Sequence, residues 1–191
     1  IEQHKKLADA LPAEVVGEGW YLRAAAHVRL KQYDQAIAAL EQFSRRTQPD
    51  HPLGDRATYL AGLCLYHTDP GKYEAWYVST KPTGRQLAYL RAAAAVQRER
   101  FDDAIRYLTP LIEPPGEDYA KRALLERANL YEKTQQPQRA AADYALFAQR
   151  YGKDAQASDA SRRAIDLAFT SGEHKQVVDR ATAWLAAPAP A

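Results

Sequence analysis

The eight residues Tyr33-Asp34-Gln35-Ala36-Ile37-Ala38-Ala39-Leu40 return as Phe101-Asp102-Asp103-Ala104-Ile105-Arg106-Tyr107-Leu108, 68 positions further on and so at twice 34. A recurrence at 20 to 50 residues constrains a chain more than any single motif, because it makes the fold a stack of like units rather than one irregular core. Looser copies, Pro137 to Tyr144 and His174 to Ala181, follow at further offsets of 36 and 37. Upstream of each copy lies an amphipathic stretch, in turn Gly19 to Leu30, Gln86 to Arg98, Ala120 to Lys133 and Asp159 to Thr170. Each unit therefore reads as helix, short turn, helix. The slot between the two strong copies takes a weaker pair, Arg56 to Tyr66 and Lys72 to Ser79. Asp69-Pro70-Gly71 is the turn between them, and Lys81-Pro82-Thr83-Gly84 closes the pair.

Composition supports helix throughout. Gly occurs 9 times in 191 residues, Val and Ile are sparse, and Ala, Leu, Gln, Arg and Glu dominate, a mix of good helix formers. The 26 Lys and Arg stand against 24 Asp and Glu, which removes the electrostatic case for a nucleic-acid binder. The single cysteine, Cys64, excludes an internal disulfide and a multi-cysteine zinc module.

In register, Trp20, Ala24, Tyr33 and Ala36 correspond to Ala88, Ala92, Phe101 and Ala104, and to Leu124, Ala128, Pro137 and Ala140. This alternation of bulky and small residues resembles the tetratricopeptide repeat. The resemblance runs from about Gly17 to Leu185 as units near 17–50, 55–84, 85–118, 121–154 and 158–187. Residues 1–16 are expected to form a partial leading helix and 188–191 a Pro/Ala tail. It implies an all-α, right-handed superhelical solenoid of about five helix-turn-helix repeats. Three departures stand out. Arg23, Arg91 and Arg127 replace the usual Leu of the first helix, Tyr73-Glu74-Ala75-Trp76 lacks the expected spacing, and Tyr151-Gly152-Lys153-Asp154 lengthens one link.

Such a solenoid implies a concave groove lined by the first helix of each unit. Mapping the family's groove positions gives Tyr21, Tyr59, Tyr66 and Tyr89, with Arg122 and Asn129 further along, as partner-binding residues. A tyrosine offers a wide ring, one hydroxyl and few rotamers to freeze, which suits a surface that holds another protein. The alternative is that the rings pack between helices. The family's Lys and Asn clamp for a terminal carboxylate is not expected, because Ala25 and Ala93 occupy two of its places. The repeated arginines either form a basic stripe for acidic partners or lay their stems over apolar surface with their heads at solvent or a nearby Glu, and the second is favoured.

No catalytic site, metal site or cofactor is expected. Cys64 and His67 lie about one helical turn apart, yet a lone Cys on an apolar helical face behaves as a small hydrophobe. No phosphate-cradling loop or nucleophile elbow is present. The most apolar stretch, Leu87 to Val96, carries Arg91 and is far shorter than the roughly 20 residues a spanning helix needs. The start at Ile1, in a chain without Met, reads as cut or processed. The expected function is a non-catalytic scaffold that binds a peptide or protein partner, with the bacterial periplasm or cell envelope favoured over the cytoplasm. The alternatives are an oligomerisation module built on the terminal helix, where Val178 and Trp184 lack a covering helix, or the repeat arm of a larger protein.

Overall fold

Alanine at the positions where helices cross decides the architecture. In a computed structural model, which describes residues 12–115 and 118–186, Ala24, Ala36, Ala92, Ala104, Ala128 and Ala140 are all fully buried. A methyl group there lets neighbouring helix backbones approach closely. The expected leading helix falls mostly, and the Pro/Ala tail wholly, outside the described residues.

The described residues are all-α, with ten helices and no strand. They are α1 (Ala13–Arg29), α2 (Tyr33–Arg46), α3 (Gly54–Thr68), α4 (Pro70–Thr80), α5 (Arg85–Gln97), α6 (Phe101–Leu108), α7 (Asp118–Lys133), α8 (Pro137–Arg150), α9 (Ala157–Thr170) and α10 (His174–Ala186). A short 3₁₀ turn, Thr109–Leu111, extends α6. Taken in pairs they make five helical hairpins, the building block of an α-solenoid. None is long and apolar enough to cross a membrane.

Four of the five hairpin turns close in one way. Residues Lys31, Glu99 and Gln135 have φ of 57°, and Gly172 has φ of 75°. Beyond each, an N–H reaches back to the carbonyl five residues earlier: Gln32 to His27, Arg100 to Ala95, Gln136 to Tyr131 and Glu173 to Ala168. This left-handed closure satisfies carbonyls that the helix end would leave open. The remaining hairpin, α3–α4, is built differently. Asp69 alone separates the helices, and its carboxylate accepts from the N–H groups of Gly71 and Lys72 at 2.8 and 3.1 Å. Pro70 and Gly71, expected as part of the turn, instead form the first turn of α4. Proline lacks the N–H that a first helical residue cannot use.

The chain divides into two compact units, one through Leu90 and one from Arg91. In the first, α3 packs on both α1 and α2, and Phe43, Leu40, Ala39, Ala24 and Ala57 form the core with Trp20 and Tyr21 against it. Gly62 on α3 is buried at a close approach. A Cβ there would lie 2.9 Å from the Trp76 ring and 2.5 Å from a Leu87 methyl. In the second unit, Phe147, Tyr144, Leu124 and Leu108 are the largest buried side chains, set among alanines of α7, α8 and α9.

Candidate functional site

In the first unit the tyrosines fall into two kinds. Tyr73, whose segment fits the repeat spacing poorly, is fully buried and its hydroxyl donates to the carbonyl of Leu87. It repacks the odd hairpin around a ring, with Trp76 at 5.7 Å and Tyr66 edge-on at 6.1 Å. Tyr21 and Tyr59, by contrast, are half-buried, and neither hydroxyl makes a hydrogen bond among the described residues. The Tyr21 ring leans on Phe43 at 6.3 Å. Tyr66 and Tyr89 are also half-buried and hold partners within the chain. Tyr66 meets His67 edge-on at 5.1 Å.

In the second unit Arg122 and Asn129 both sit on α7 and are exposed. The carboxamide oxygen of Asn129 accepts from the Tyr144 hydroxyl and, at 3.3 Å, from Arg163. The Arg163 guanidinium also donates to the Tyr144 hydroxyl at 2.9 Å, and Glu132 accepts from that hydroxyl at 3.0 Å. Burial pushes the Tyr144 phenol up to about 12; Arg163 opposes the rise and Glu132 adds to it. Together Leu125, Asn129, Tyr144, Gln156, Asp159, Ala160 and Arg163 line a cavity of about 140 Å³, room for one small side chain or a few waters. Arg163 is the residue the repeat pattern failed to single out, although it follows Arg127 by 36 places as Arg127 follows Arg91.

The repeated arginines form no basic stripe in this unit. Arg127 is 16% exposed and holds Asp143 through two contacts of 2.7 and 2.8 Å, with a third hydrogen bond to Thr109 at 3.1 Å. A planar guanidinium matched to a carboxylate in this way is a strong pair. Although desolvation works against the charge, Asp143 holds the Arg127 guanidinium above its ordinary value. One repeat earlier, Arg91 lies 3.9 Å over the Tyr107 ring and donates to its hydroxyl at 3.2 Å. Tyr107 and Asp143 stand 16 residues after their arginines, so one geometry is filled once by a ring and once by a carboxylate. In the first unit Arg23 and Arg46 both approach the Trp20 ring, at 5.1 and 5.6 Å.

Cys64 is fully buried, and burial, with Asp34 adding, pushes its thiol up to about 11. His67 is exposed and stacks on Tyr33 at 4.8 Å. Each side chain is accounted for by packing. The thiol is held away from the thiolate form that nucleophilic or metal chemistry requires.

Comparison with known proteins agrees with this geometry. The tetratricopeptide repeat family matches residues 21–75. The outer membrane protein assembly factor BamD of Neisseria meningitidis serogroup A is 30% identical over 170 residues, an alignment covering 76% of this chain and 62% of that protein. The chain thus spans about three-fifths of that relative's length. Among solved structures, two mutant forms of MamA share the fold at 13% identity. One has a TM-score of 0.63 and covers 88% of this chain and 92% of its own. The other has a TM-score of 0.59 and covers 89% and 96%.

Proposed function

We propose, for a chain that belongs to the tetratricopeptide-repeat family, that it is a non-catalytic scaffold whose first unit grips a partner protein or peptide through Tyr21 and Tyr59, supported by Tyr66 and Tyr89. One observation carries this reading: the buried tyrosines of the chain spend their hydroxyls internally, whereas Tyr21 and Tyr59, at corresponding places in successive repeats, keep theirs unpartnered among the described residues. A half-buried ring with an open hydroxyl contributes apolar area and one directed hydrogen bond at little entropic cost. In the second unit, the exposed Arg122 and the Asn129–Arg163 cavity form a separate polar surface for the same class of partner. The BamD relative, named for outer membrane protein assembly, supports the bacterial cell envelope as the setting.

The test is capture of partners from a solubilised envelope extract by wild type and by Tyr21→Ala/Tyr59→Ala, with circular dichroism to confirm helicity. Loss of about 10-fold or more in captured partner is expected, the size of two interface anchors. Tyr21→Phe/Tyr59→Phe should lose about 3-fold if the hydroxyls are used. Unchanged capture by the alanine variant would move the site elsewhere.

A second reading is self-association through the last hairpin. No residue of α10 is buried, and Val178 and Leu185 are 64% and 81% exposed, with Phe169 of α9 at 63%. Light scattering separates the readings: a concentration-dependent dimer that Val178→Glu/Leu185→Glu abolishes favours this one, and a monomer at all concentrations refutes it.

A further inference from the structure

Tyr59 and Tyr66 occupy one face of α3, and another face of the same helix is also open. Thr58, Ala61 and Leu65, which share a side at helical spacing, line a groove of about 800 Å³ together with α2, the connection 47–53 and α4. Its floor is apolar, made by Leu40, Phe43, Ala57, Ala61, Leu65 and Trp76. None of Tyr21, Tyr59, Tyr66 or Tyr89 touches it.

The charge at its rim has one sign. Among the described residues Glu41, Asp50 and Asp55 line the groove and no Lys or Arg does, although the whole chain carries slightly more basic than acidic residues. Asp50 and Asp55 are exposed and have no side-chain partner among the described residues. Glu41 has only a loose, exposed contact with Arg45 at 3.8 Å, which leaves most of its charge to solvent.

The walls are held in place. Thr47 stops α2, its N–H and hydroxyl both donating to the Phe43 carbonyl at 3.1 and 2.9 Å. His51 accepts from the Leu53 N–H at 3.1 Å and stands edge-on to Phe43 at 5.1 Å. On the other side Gly62 lets the Trp76 ring close against α3. A rigid groove of this volume costs little ordering to fill.

We propose that this groove is a second docking surface, distinct from the tyrosine face, and that its occupant is a basic peptide segment: apolar side chains on the floor, flanked by Lys or Arg facing Asp50, Asp55 and Glu41. Carboxylates of one sign along the rim select a cationic strand and repel an acidic one, while Leu40, Phe43 and Trp76 take up apolar and aromatic side chains. Because the two surfaces use different faces of α3, both are occupied at once.

The test is fluorescence anisotropy of the full chain with two fluorescein-labelled peptides, GKLKFKG and GELEFEG. The basic peptide should bind at least about 10-fold more tightly than the acidic one. Asp50→Asn/Asp55→Asn should weaken the basic peptide by about 5-fold, the worth of two exposed charge contacts. Thr58→Trp, which fills the groove, should abolish binding with helicity retained, and the tyrosine variant Tyr59→Ala should leave it unchanged. Equal binding of the two peptides, indifference to the Asp variants, or loss only in the tyrosine variant would each overturn the proposal. So would a wild-type dimer in light scattering that the Asp variants dissolve, which would make a second copy of the chain the occupant.

Discussion

The two units solve one packing problem with different chemistry. Through Leu90 the hairpins are locked by rings: Phe43, Tyr73, Trp76, Trp20 under two arginines, and Tyr33 stacked on His67. From Arg91 onward, alanines bring the helices closer and the space between them is bridged by Arg127 with Asp143, Lys121 with Asp154, Arg163 with Tyr144 and Arg91 over Tyr107. A ring excludes water without needing a partner, so its neighbours remain free to present surface. A charge lowered between helices needs its counter-charge, and the pair is then spent on stability. The first unit accordingly holds the large groove, and the second unit's polar residues are mostly engaged with one another.

The largest effect should come from the ring side. Tyr73→Ala removes a fully buried ring and is expected to cost about 3–5 kcal/mol in urea unfolding. If the cost is below about 1 kcal/mol, rings do not lock this unit. On the charge side, Asp143→Ala strands Arg127 at 16% exposure and should cost about 2–3 kcal/mol, less than for a fully buried pair. The double change Arg127→Met/Asp143→Leu should recover most of that loss. A double variant as unstable as the single would show that the site needs the charges themselves.

The pH response sharpens the same contrast. Tyr144 keeps its proton in the folded protein up to about 12, from an ordinary value of 10.0. The unfolded chain therefore binds fewer protons above pH 10, and the stability this group contributes falls as pH rises from there toward about 12. Tyr144→Phe should remove that alkaline decline from the unfolding curve. At the acid end, hydrogen bonds from Lys121 and the Gln156 N–H hold Asp154 below its ordinary value, so its contribution is present above that value and lost as pH falls below it. In the first unit the Cys64 thiol at about 11 should react with iodoacetamide at pH 8 far more slowly than a free thiol, and at the ordinary rate once urea unfolds the chain. Rapid labelling of the folded protein would show that α3 opens.

The smallest effect concerns the shared turn. Gly172→Ala, at φ of 75°, should cost about 1 kcal/mol, a difference resolved by thermal unfolding.

Much of this was legible in the sequence because repetition amplifies weak signals. The small residues Ala24, Ala36, Ala92, Ala104, Ala128 and Ala140 were read from register together with the resemblance to the repeat family, and all are buried. Helix spans were also close, since Ala120 to Lys133 and Asp159 to Thr170 lie inside observed helices. What escaped was chemistry that depends on a neighbour in space. The spacing around Tyr73 looked like a failed repeat because α3–α4 replaces the left-handed turn with an Asp69 cap, which shifts the ring onto Leu87. Arg91 and Arg127 were expected to send their heads to solvent or a nearby Glu. Arg127 instead finds Asp143 and Arg91 finds a ring, and nothing local to either arginine distinguishes them. The groove under Trp76 was invisible because its walls come from three helices and a connection that only the folded chain brings together.

The central claim is that Tyr21 and Tyr59, supported by Tyr66 and Tyr89, face a partner while Tyr107 and Tyr131, beside Arg91, Arg127 and Arg139, serve the chain's own packing. Photo-crosslinking tests this directly, with benzoylphenylalanine placed singly at Tyr21, Tyr59, Tyr107 and Tyr131 and irradiated in envelope extract. Partner adducts from Tyr21 and Tyr59, and none from Tyr107 or Tyr131, is the predicted result. Adducts from all four alike, or from only the latter two, would contradict it.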